Sequence, residues 1–362
     1  MEWSDQQAAA IYAVARWARS RGGKQVFRLF GYAGSGKSTI ARQIADDVDG
    51  EVLFATFTGK AALVMRKKGC TNARTIHSLI YKVADPDAEV IEYALNPDSE
   101  AHGAALIIID ECSMVDADLG RDLESFGVKI LVLGDPAQLP PISGEGYFTS
   151  QTPDIMLTEI HRQAADNPII RLSMDVRAGH PLAYGMYGDS KIIARADLDP
   201  AEVLAADQVL VGMNKTRKAF NKRIRQLTGY TSPLPQRGDR LVCLKNNRER
   251  GLLNGSLWTA GAVEHNKGRC KMDVISLDGL GDPGPVNVLD QFFLGTEDTL
   301  DWKVKRTSDE FTYGYALTVH KFQGSQADFV MLFEESSMFR ENRIKHLYTG
   351  ITRAAERITI VL

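Results

Sequence analysis

Eight consecutive residues near the N-terminus have the composition and spacing of a loop that holds phosphate groups. Residues 31–38 read Gly-Tyr-Ala-Gly-Ser-Gly-Lys-Ser, which fits the pattern Gly-x-x-x-x-Gly-Lys-Ser/Thr. Glycines let backbone N–H groups wrap phosphate oxygens, the lysine reaches the β and γ phosphates, and the serine hydroxyl can hold Mg²⁺. The residues expected to contact a nucleoside triphosphate are Gly34, Ser35, Gly36, Lys37, Ser38 and Thr39.

Two adjacent acids complete the chemistry that such a loop needs. Residues 106–109 form an apolar run, and Asp110 and Glu111 follow it directly. Asp110 would support the metal together with Ser38, and Glu111 would polarise the attacking water. Alone, the pair would be read as exposed acids at a strand end. Together with the glycine-rich loop, it predicts hydrolysis of a nucleoside triphosphate.

The elements that must position these residues follow from the hydrophobic pattern. Strand-like apolar segments at residues 26–30, 52–57, 106–109 and 130–133 alternate with polar or amphipathic stretches. A second series begins near residues 207–212, resumes at 329–333 and closes at 358–362. This alternation predicts an α/β fold built on parallel sheets.

Two segments interrupt the alternation. Residues 82–103 are acidic and rich in turn formers around a short apolar run, which predicts an inserted hairpin. Residues 238–303 contain several β-type runs separated by Asn254-Gly255 and by residues 281–284, which predicts a small all-β insert.

Composition and charge limit the class of protein. The 362 residues are 44% apolar and 25% charged, the range of ordinary globular proteins. The apolar runs are far shorter than the ~20 residues of a membrane-spanning helix, so no membrane contact is expected. The acidic, polar first residues predict no secretory leader, and a cytoplasmic location is expected. The four cysteines lack Cys-x-x-Cys spacing, and no histidine has the spacing of a metal ligand, so neither a zinc site nor a disulfide framework is predicted.

A net charge of -3 does not indicate a nucleic-acid binder, so any polyanion site must be local. Two basic segments qualify, residues 66–68 and residues 214–225, and the second has no acid. Its basic residues have helical spacing. On charge alone, this pattern is equally compatible with a solvated helix face and with a polyanion contact.

The order of several further motifs resembles that of superfamily 1 helicases. The matching segments are residues 58–62 (Thr-Gly-Lys-Ala-Ala), 75–78 (Thr-Ile-His-Ser), 110–114 (Asp-Glu-Cys-Ser-Met), 134–141 (Gly-Asp-Pro-Ala-Gln-Leu-Pro-Pro), 157–163 (Leu-Thr-Glu-Ile-His-Arg-Gln), 316–325 and 348–354. The small β insert and the short hairpin resemble those of the RecD-like and Dda-like enzymes of subgroup B.

This resemblance implies tandem RecA-like P-loop domains with ATP between them. Domain 1 would span residues 1–156 with a pin insert at 82–103, domain 2 residues 157–237 and 304–362, and an SH3-like insert residues 238–303. It also implies that Gln138 senses the γ-phosphate and that Arg162 and Arg353 act as arginine fingers, although either arginine alone would be read as a surface ion-pair partner. Gln7 would read adenine; capping of a helix by Ser4 is the alternative.

The resemblance further implies a 5′ to 3′ motor on single-stranded DNA that opens a duplex fork, acting as a monomer, with replication or recombination proteins as candidate partners. Strand contacts would come from Thr58, Lys60, Thr75, His77, Asn214, Thr318, His320 and Lys321. His77 alone would be read as a core or helix-start histidine. Two other functions stay open, namely an ATP-controlled DNA-binding module and a translocase on RNA.

Overall fold

The computed structural model describes residues 3–84, 92–142, 144–159 and 166–362, and it divides into two compact units, Met1–Gly179 and His180–Leu362. The first unit is built on one sheet, and its strands are β1 (Val26–Gly31), β2 (Val52–Thr56), β3 (Arg74–Thr75), β6 (Leu106–Asp110), β7 (Ile130–Gly134) and β8 (Ile155–Leu157). They lie in the order β3-β2-β6-β7-β1-β8, and every pairing is parallel.

Alternate residues of these strands face two separate apolar layers. On β6, Ile108 packs into one layer while Ile107 and Ile109 pack into the other. Both faces are covered by helices, which explains why the strands read as continuous apolar runs. The helices of this unit are Asp5–Arg19, Lys37–Asp46, Gly59–Lys67, Ile76–Ile80, Ala117–Glu124 and Pro168–Arg177. The predicted parallel α/β architecture is confirmed.

A two-stranded antiparallel hairpin, β4 (Tyr81–Val83) and β5 (Tyr93–Leu95), lies within the segment predicted as an insert. The apolar run of this segment includes Val90 and Ile91, which lie outside the described residues. Tyr93 is 58% exposed, and Val83 and Leu95 are exposed as well. The described part of the hairpin therefore presents apolar side chains to solvent.

The second unit has its own sheet, and its strands are β9 (Gly185–Tyr187), β10 (Ser190–Ile193), β11 (Gln208–Val211), β17 (Ala316–Thr318), β18 (Ala327–Phe333) and β19 (Ala354–Val361). They lie in the order β17-β11-β18-β19-β10-β9, and in this sheet only β9 is antiparallel to its neighbour. The accompanying helices are Pro200–Ala205, Asn214–Leu227 and Arg343–Ile351.

Between β11 and β17 the chain builds a five-stranded antiparallel sheet with its own apolar core. Its strands are β12 (Arg240–Cys243), β13 (Leu257–Asn266), β14 (Arg269–Ser276), β15 (Val286–Leu289) and β16 (Phe311–Tyr313), and the short helices Gln291–Leu294 and Trp302–Arg306 follow β15. An inserted β sheet was predicted over residues 238–303. The pairing of β16 with β12 extends this sheet beyond that range, and we call the whole of residues 238–313 the β insert.

The two compact units divide after Gly179, later in the chain than the predicted boundary at 156/157. The reason is local packing. Strand β8 pairs with β1 in the first sheet, and helix Pro168–Arg177 falls within the first unit.

Among the residues that the structure describes, no helix combines the length and apolarity needed to cross a bilayer. All four cysteines are buried, and none of them forms a disulfide bond.

Candidate functional site

The glycine-rich loop lies between the end of β1 and the start of helix Lys37–Asp46. Gly34 and Gly36 have φ values of +81° and +80°, a left-handed conformation that glycine adopts without steric cost. At Gly31, a Cβ atom would lie 2.5 Å from Ser35 Oγ and 2.9 Å from Leu157 Cβ. The loop therefore needs glycine at these points, and it leads into a helix N-terminus that favours anions.

Lys37 lies against this loop. Its Nζ donates to the carbonyl oxygens of Gly31 at 2.5 Å and Tyr32 at 3.0 Å. Phosphate oxygens are stronger, charged acceptors for the same ammonium group. The lysine is thus held at the loop, where the sequence predicted it to reach phosphates.

The two predicted metal ligands are in direct contact. Ser38 Oγ donates to Asp110 Oδ2 at 2.8 Å, and the other oxygen of Asp110 accepts from the backbone N–H of Glu111 at 2.9 Å. Asp110 is only 6% exposed. A hydroxyl and a carboxylate oxygen are hard donors of the kind that Mg²⁺ takes alongside phosphate oxygens and water. The donor set therefore fits the expected ion.

Glu111 has an unusual backbone conformation directly after β6. Its φ is 55°, which is uncommon for a residue with a Cβ atom. Cys112 next to it is fully buried, and a Cβ at Gly134 would lie 2.5 Å from Cys112 Sγ. The sharp turn therefore buries the side chain of Cys112 and leaves that of Glu111 partly exposed. A carboxylate that activates water needs such access to solvent.

Gln138 follows the next strand. Its backbone N–H donates to the carbonyl of Asp135 at 3.1 Å, and Asp135 Oδ1 accepts from the N–H of Ala137 at 2.9 Å. This tight turn comes directly after β7, which lies between β6 and β1 in the sheet. The carboxyl ends of three adjacent parallel strands thus carry the phosphate loop, the acid pair and Gln138, the usual location of a ligand site in such sheets.

The two neighbouring glutamines of the first helix hold two different backbone segments. Gln7 is buried; its Oε1 accepts from Ser4 N at 3.1 Å and its Nε2 donates to the carbonyl of Ser35 at 3.1 Å. Ser4 Oγ accepts from Gln7 N at 3.3 Å, so a capping box is present. Gln6 Oε1 accepts from the backbone N–H groups of Thr158 at 2.9 Å and Glu159 at 3.1 Å.

Sequence reasoning missed one contact at the phosphate loop. The guanidinium of Arg177 stacks on the ring of Tyr32, with 3.4 Å between Cζ and the ring centroid. Cation–π contacts of this kind stabilise an exposed pair by roughly 0.5–1 kcal/mol. Nothing local in the sequence signals the contact, because its two members are far apart along the chain.

The structure describes one of the two predicted arginine fingers. Arg162 lies outside the described residues. Arg353 is in the second unit, where its guanidinium donates to the carbonyls of Thr349 at 3.1 Å and Ser325 at 3.2 Å. Its role as a finger stays a prediction.

Two of the predicted strand-contacting threonines in the first unit cap helices. Thr58 Oγ1 accepts from Ala61 N at 3.1 Å, and Thr75 Oγ1 accepts from Ser78 N at 3.2 Å. Lys60 is buried within the helix that Thr58 caps. Their hydroxyls and helix N-termini lie at the carboxyl ends of β2 and β3.

Aromatic rings form a series that starts beside these caps. His77 lies 5.9 Å from Phe57 and 5.7 Å from Tyr81, centroid to centroid, and Tyr81 lies 6.3 Å from Tyr93 on the hairpin. Burial lowers the pKa of His77, so its neutral form is favoured. We call Phe57, His77, Tyr81 and Tyr93 the ring series.

In the second unit, the predicted contacts cluster at the end of β17. Thr318 Oγ1 accepts from Lys321 N at 3.3 Å, and His320 opens the intervening turn. Desolvation lowers the pKa of both His320 and Lys321. Asn214 stands exposed in the first turn of helix Asn214–Leu227, where its Oδ1 accepts from Arg217 Nε at 3.2 Å.

The basic helix Asn214–Leu227 has a buried face that its charge pattern does not reveal. Asn221 exchanges two hydrogen bonds with the backbone of Ala316, at 2.9 and 3.0 Å. Arg225 makes a bidentate ion pair with the fully buried Asp239, at 2.8 and 2.9 Å. The helix was a candidate for a polyanion contact, and the structure uses Asn221 and Arg225 to attach it to β17 and to the start of the β insert. The exposed basic residues are Lys215, Lys218, Lys222 and Arg223.

Comparison with known families identifies the chain. The family model described as "AAA domain" matches residues 2–197, and the model described as "UvrD-like helicase C-terminal domain" matches residues 313–361. The first match covers more than half of the chain, which therefore belongs to the AAA-domain family of P-loop proteins. The proteins to which the chain is similar include RecD2 and Pif1 DNA helicases.

Among curated proteins, the ATP-dependent RecD2 DNA helicase of Deinococcus radiodurans is 28% identical over 98% of this chain and 48% of its own length. The conjugal transfer protein TraA of Rhizobium radiobacter is 26% identical over 99% of this chain and 32% of its own length. The chain thus spans half or less of the length of these relatives.

Solved structures share the fold over nearly the whole chain. A structure of two coordinating Pif1 helicases at forked double-stranded DNA matches with a TM-score of 0.61 and 18% identity, covering 99% of this chain and 92% of the other. Bacteroides Pif1 bound to single-stranded DNA matches with a TM-score of 0.57 and 17% identity, over 99% and 92% of the two chains. This likeness supports the tandem RecA-like fold.

Proposed function

We propose that this chain is an ATP-dependent DNA helicase that moves 5′ to 3′ on single-stranded DNA and unwinds duplexes. The observation that carries the proposal is the contact of Ser38 with Asp110 beside a phosphate loop, in a chain with the fold of Pif1 helicases. The named relatives that are helicases support the same activity.

In this proposal, Lys37 and the loop amides hold the ATP phosphates, and Ser38 and Asp110 hold Mg²⁺. When bound by these residues, the ion would neutralise charge on the transferring phosphoryl group. Glu111 accepts a proton from the attacking water, and Gln138 contacts the γ-phosphate. Arg162 and Arg353 stabilise the transition state as fingers, because positive charge near the phosphoryl oxygens acts mainly where charge develops. Gln7 contacts adenine, and the loop contacts of Gly34, Gly36 and Thr39 complete the nucleotide site.

We assign the first compact unit to one RecA-like domain and residues 180–237 with 314–362 to the other, and we assign the β insert, residues 238–313, to an SH3-like domain. A single DNA strand would be held by hydroxyl, amide and lysine contacts to phosphate, from Thr58, Lys60 and Thr75 in one domain. Asn214, Thr318, His320 and Lys321 would supply the second set. The ring series supports this path, because bases stack on aromatic faces without regard to sequence.

The test compares Lys37→Ala with Lys271→Ala, an exposed lysine of the β insert that serves as a matched control. We expect the wild-type and control proteins to hydrolyse ATP faster when single-stranded DNA is added and to separate a forked duplex. Lys37→Ala should bind single-stranded DNA but lose hydrolysis and unwinding, because the phosphates lose their charged partner.

Two outcomes would contradict the proposal. Hydrolysis without strand separation on any fork would favour an ATP-controlled binding module. Stimulation by single-stranded RNA but not by DNA would assign the motor to RNA, since backbone tracking and stacking serve both polymers.

A further inference from the structure

A hairpin in the β insert places a histidine directly opposite a cysteine. Strands β13 and β14 pair Asn266 with Arg269, so Lys267 and Gly268 form a two-residue turn with φ values of +47° and +80°. Two positive φ values are the signature of the turn that matches strand twist in hairpins. The next pair is His265 and Cys270, whose side chains share one face of the sheet.

A third side chain reaches the same place from β15. Cys270 pairs with Val288 across β14 and β15, and two residues later the N–H of Asp290 donates to the carbonyl of Gly268 at 3.0 Å. Asp290 is thus a diagonal neighbour of Cys270 on the same face. Cys270 Sγ lies 3.2 Å from His265 Nδ1 and 3.0 Å from Asp290 Oδ1.

When His265 is uncharged, counting protons at this cluster leaves one acceptor without a donor. His265 Nε2 lies 3.1 Å from the carbonyl oxygen of Pro235, which can only accept, so this nitrogen carries the ring proton. Nδ1 of the neutral ring is then an acceptor, and so is the carboxylate of Asp290. The thiol between them has a single S–H to offer. A cation would satisfy all three groups at once.

The orientation of the His265 ring also favours a bound cation. In metal sites, a ligating histidine usually donates its other ring N–H to a carbonyl or carboxylate, which fixes the tautomer and aims the lone pair. The contact between His265 and Pro235 has this form. Pro235 lies just before the β insert, and His265, Cys270 and Asp290 lie within it.

We propose that His265 Nδ1, Cys270 Sγ and the Asp290 carboxylate form a binding site for a thiophilic divalent cation, with Zn²⁺ as the best fit. Nitrogen, thiolate and carboxylate are the ligands that Zn²⁺ takes, and three protein ligands leave a fourth position for solvent. The three ligand atoms lie within 4.8 Å of one another. Tetrahedral zinc would space sulfur and nitrogen by about 3.5 Å, so they need to separate by only a few tenths of an ångström.

Binding exchanges a proton for the metal. Cys270 begins as a thiol, because its Sγ donates a hydrogen bond to Asp290 Oδ1. The sulfur–hydrogen bond breaks, the sulfur–metal bond forms, and one proton goes to solvent without any change of oxidation state. Affinity should therefore rise with pH. Because His265 is exposed while Cys270 is buried, the ion has a route from solvent.

The sequence pattern could not have predicted this site. Zinc sites are recognised by paired cysteines or histidines at short spacing, and here each ligand type occurs once. His265 and Cys270 are brought together by the hairpin turn, and Asp290 joins them through the pairing of β15 with β14.

The test titrates the metal-free full chain with Co²⁺ in excess Mg²⁺, so that oxygen-ligand sites at the phosphate loop are filled. We expect a thiolate-to-cobalt charge-transfer absorption that Zn²⁺ abolishes by competition, and release of one proton per ion. The matched control is Cys243→Ser, because Cys243 is a buried cysteine of the same β insert whose Sγ instead donates to the carbonyl of Lys245 at 3.1 Å.

Cys270→Ser should lose the absorption, and Cys243→Ser should keep it. His265→Gln changes an exposed residue, so the fold is retained, and we expect its affinity for Co²⁺ to fall at least ~10-fold. Equal absorption in the wild type and Cys270→Ser would overturn the proposal. So would an absorption that depends on Cys243, or an unchanged affinity in His265→Gln.

Discussion

At the scale of single residues, Asp110 connects the phosphate loop to the acid pair. One of its oxygens accepts from Ser38 and the other from the N–H of Glu111, so its carboxylate is fixed before any ligand arrives. A pre-oriented carboxylate holds a metal ion without a cost of rearrangement at the moment of reaction. The isosteric amide would keep the shape of the site and remove the charge.

We therefore expect Asp110→Asn to lower the rate of ATP hydrolysis by at least ~10²-fold, with a higher Mg²⁺ concentration needed for half-maximal rate. Steady-state hydrolysis at a series of Mg²⁺ concentrations measures both effects. Asp118→Asn is the control, because its carboxylate is 89% exposed and pairs with the exposed Arg121. A turnover in Asp110→Asn equal to that of the control would remove Asp110 from the metal site.

The charge of Arg225 is not available for binding a ligand, because it is buried in an ion pair with Asp239. Arg225 and Asp239 are both buried, and the Asp239 carboxylate also accepts from Gln236 N at 2.7 Å and from the Tyr315 hydroxyl at 2.9 Å. Removing one partner of such a pair leaves a buried charge without compensation, which costs about 3–5 kcal/mol.

Asp239→Asn should accordingly lower the free energy of unfolding of the second unit by a few kcal/mol, of the order of that penalty. Urea denaturation followed by fluorescence and by circular dichroism gives the midpoint. Asp118→Asn again provides the comparison, since an exposed ion pair contributes only ~0–1 kcal/mol. Equal midpoints for the two variants would show that the buried pair does not hold the helix to the β insert.

At the scale of elements, the hairpin β4–β5 carries Tyr93, the last member of the ring series. Its described apolar side chains are exposed, and the acids of the surrounding segment would repel phosphate, so a wedge at the fork fits better than a grip on the DNA backbone. A solvated surface loop is the alternative reading of an acidic insert. Ser99 must be kept in any shortened version, because its buried hydroxyl donates to the carbonyl of Leu79 at 2.7 Å.

Replacing residues 85–92 by a short Gly-Ser turn, or changing Tyr93 to Ala, should spare DNA-stimulated ATP hydrolysis and slow strand separation by about 5- to 150-fold. A stacking contact with a base is worth about 1–3 kcal/mol, which sets the expected size. Tyr12→Ala is the control, because Tyr12 is exposed on the first helix. If both hairpin variants unwind as fast as the control, the hairpin is a surface loop without a role at the fork.

The strands of the first sheet were predictable because they are buried on both faces. Each predicted apolar run at residues 26–30, 52–57, 106–109 and 130–133 overlaps a strand of the structure almost completely. The two edge strands, β3 and β8, were not predicted, since their two and three residues carry too short a pattern and their places depend on pairing with β2 and β1.

The phosphate loop and the acid pair were predictable because local sequence determines them. Their spatial contact follows from adjacent parallel strands. The burial of Arg225 was not predictable, because it depends on Asp239, which the chain brings back only after the turn at residues 232–236. The same holds for Tyr32 with Arg177, where the partner belongs to a distant helix.

At the scale of the whole molecule, direction of movement is the property that separates subgroup B from other superfamily 1 enzymes. We expect a partial duplex with a 5′ single-stranded tail to be unwound and one with only a 3′ tail to remain intact. Gel separation of the products under single-turnover conditions measures this, with a blunt duplex as the background. Efficient unwinding from the 3′ tail alone would contradict the assignment to subgroup B.

The burial of all four cysteines has a practical consequence for following such movement. Thiolate is the reactive form, and burial raises the pKa of Cys112, Cys243 and Cys270. The native thiols should therefore react slowly with maleimide dyes at neutral pH. One cysteine introduced at an exposed position of each unit, such as Tyr12 and Lys222, can then carry a donor and an acceptor fluorophore without removal of any native cysteine.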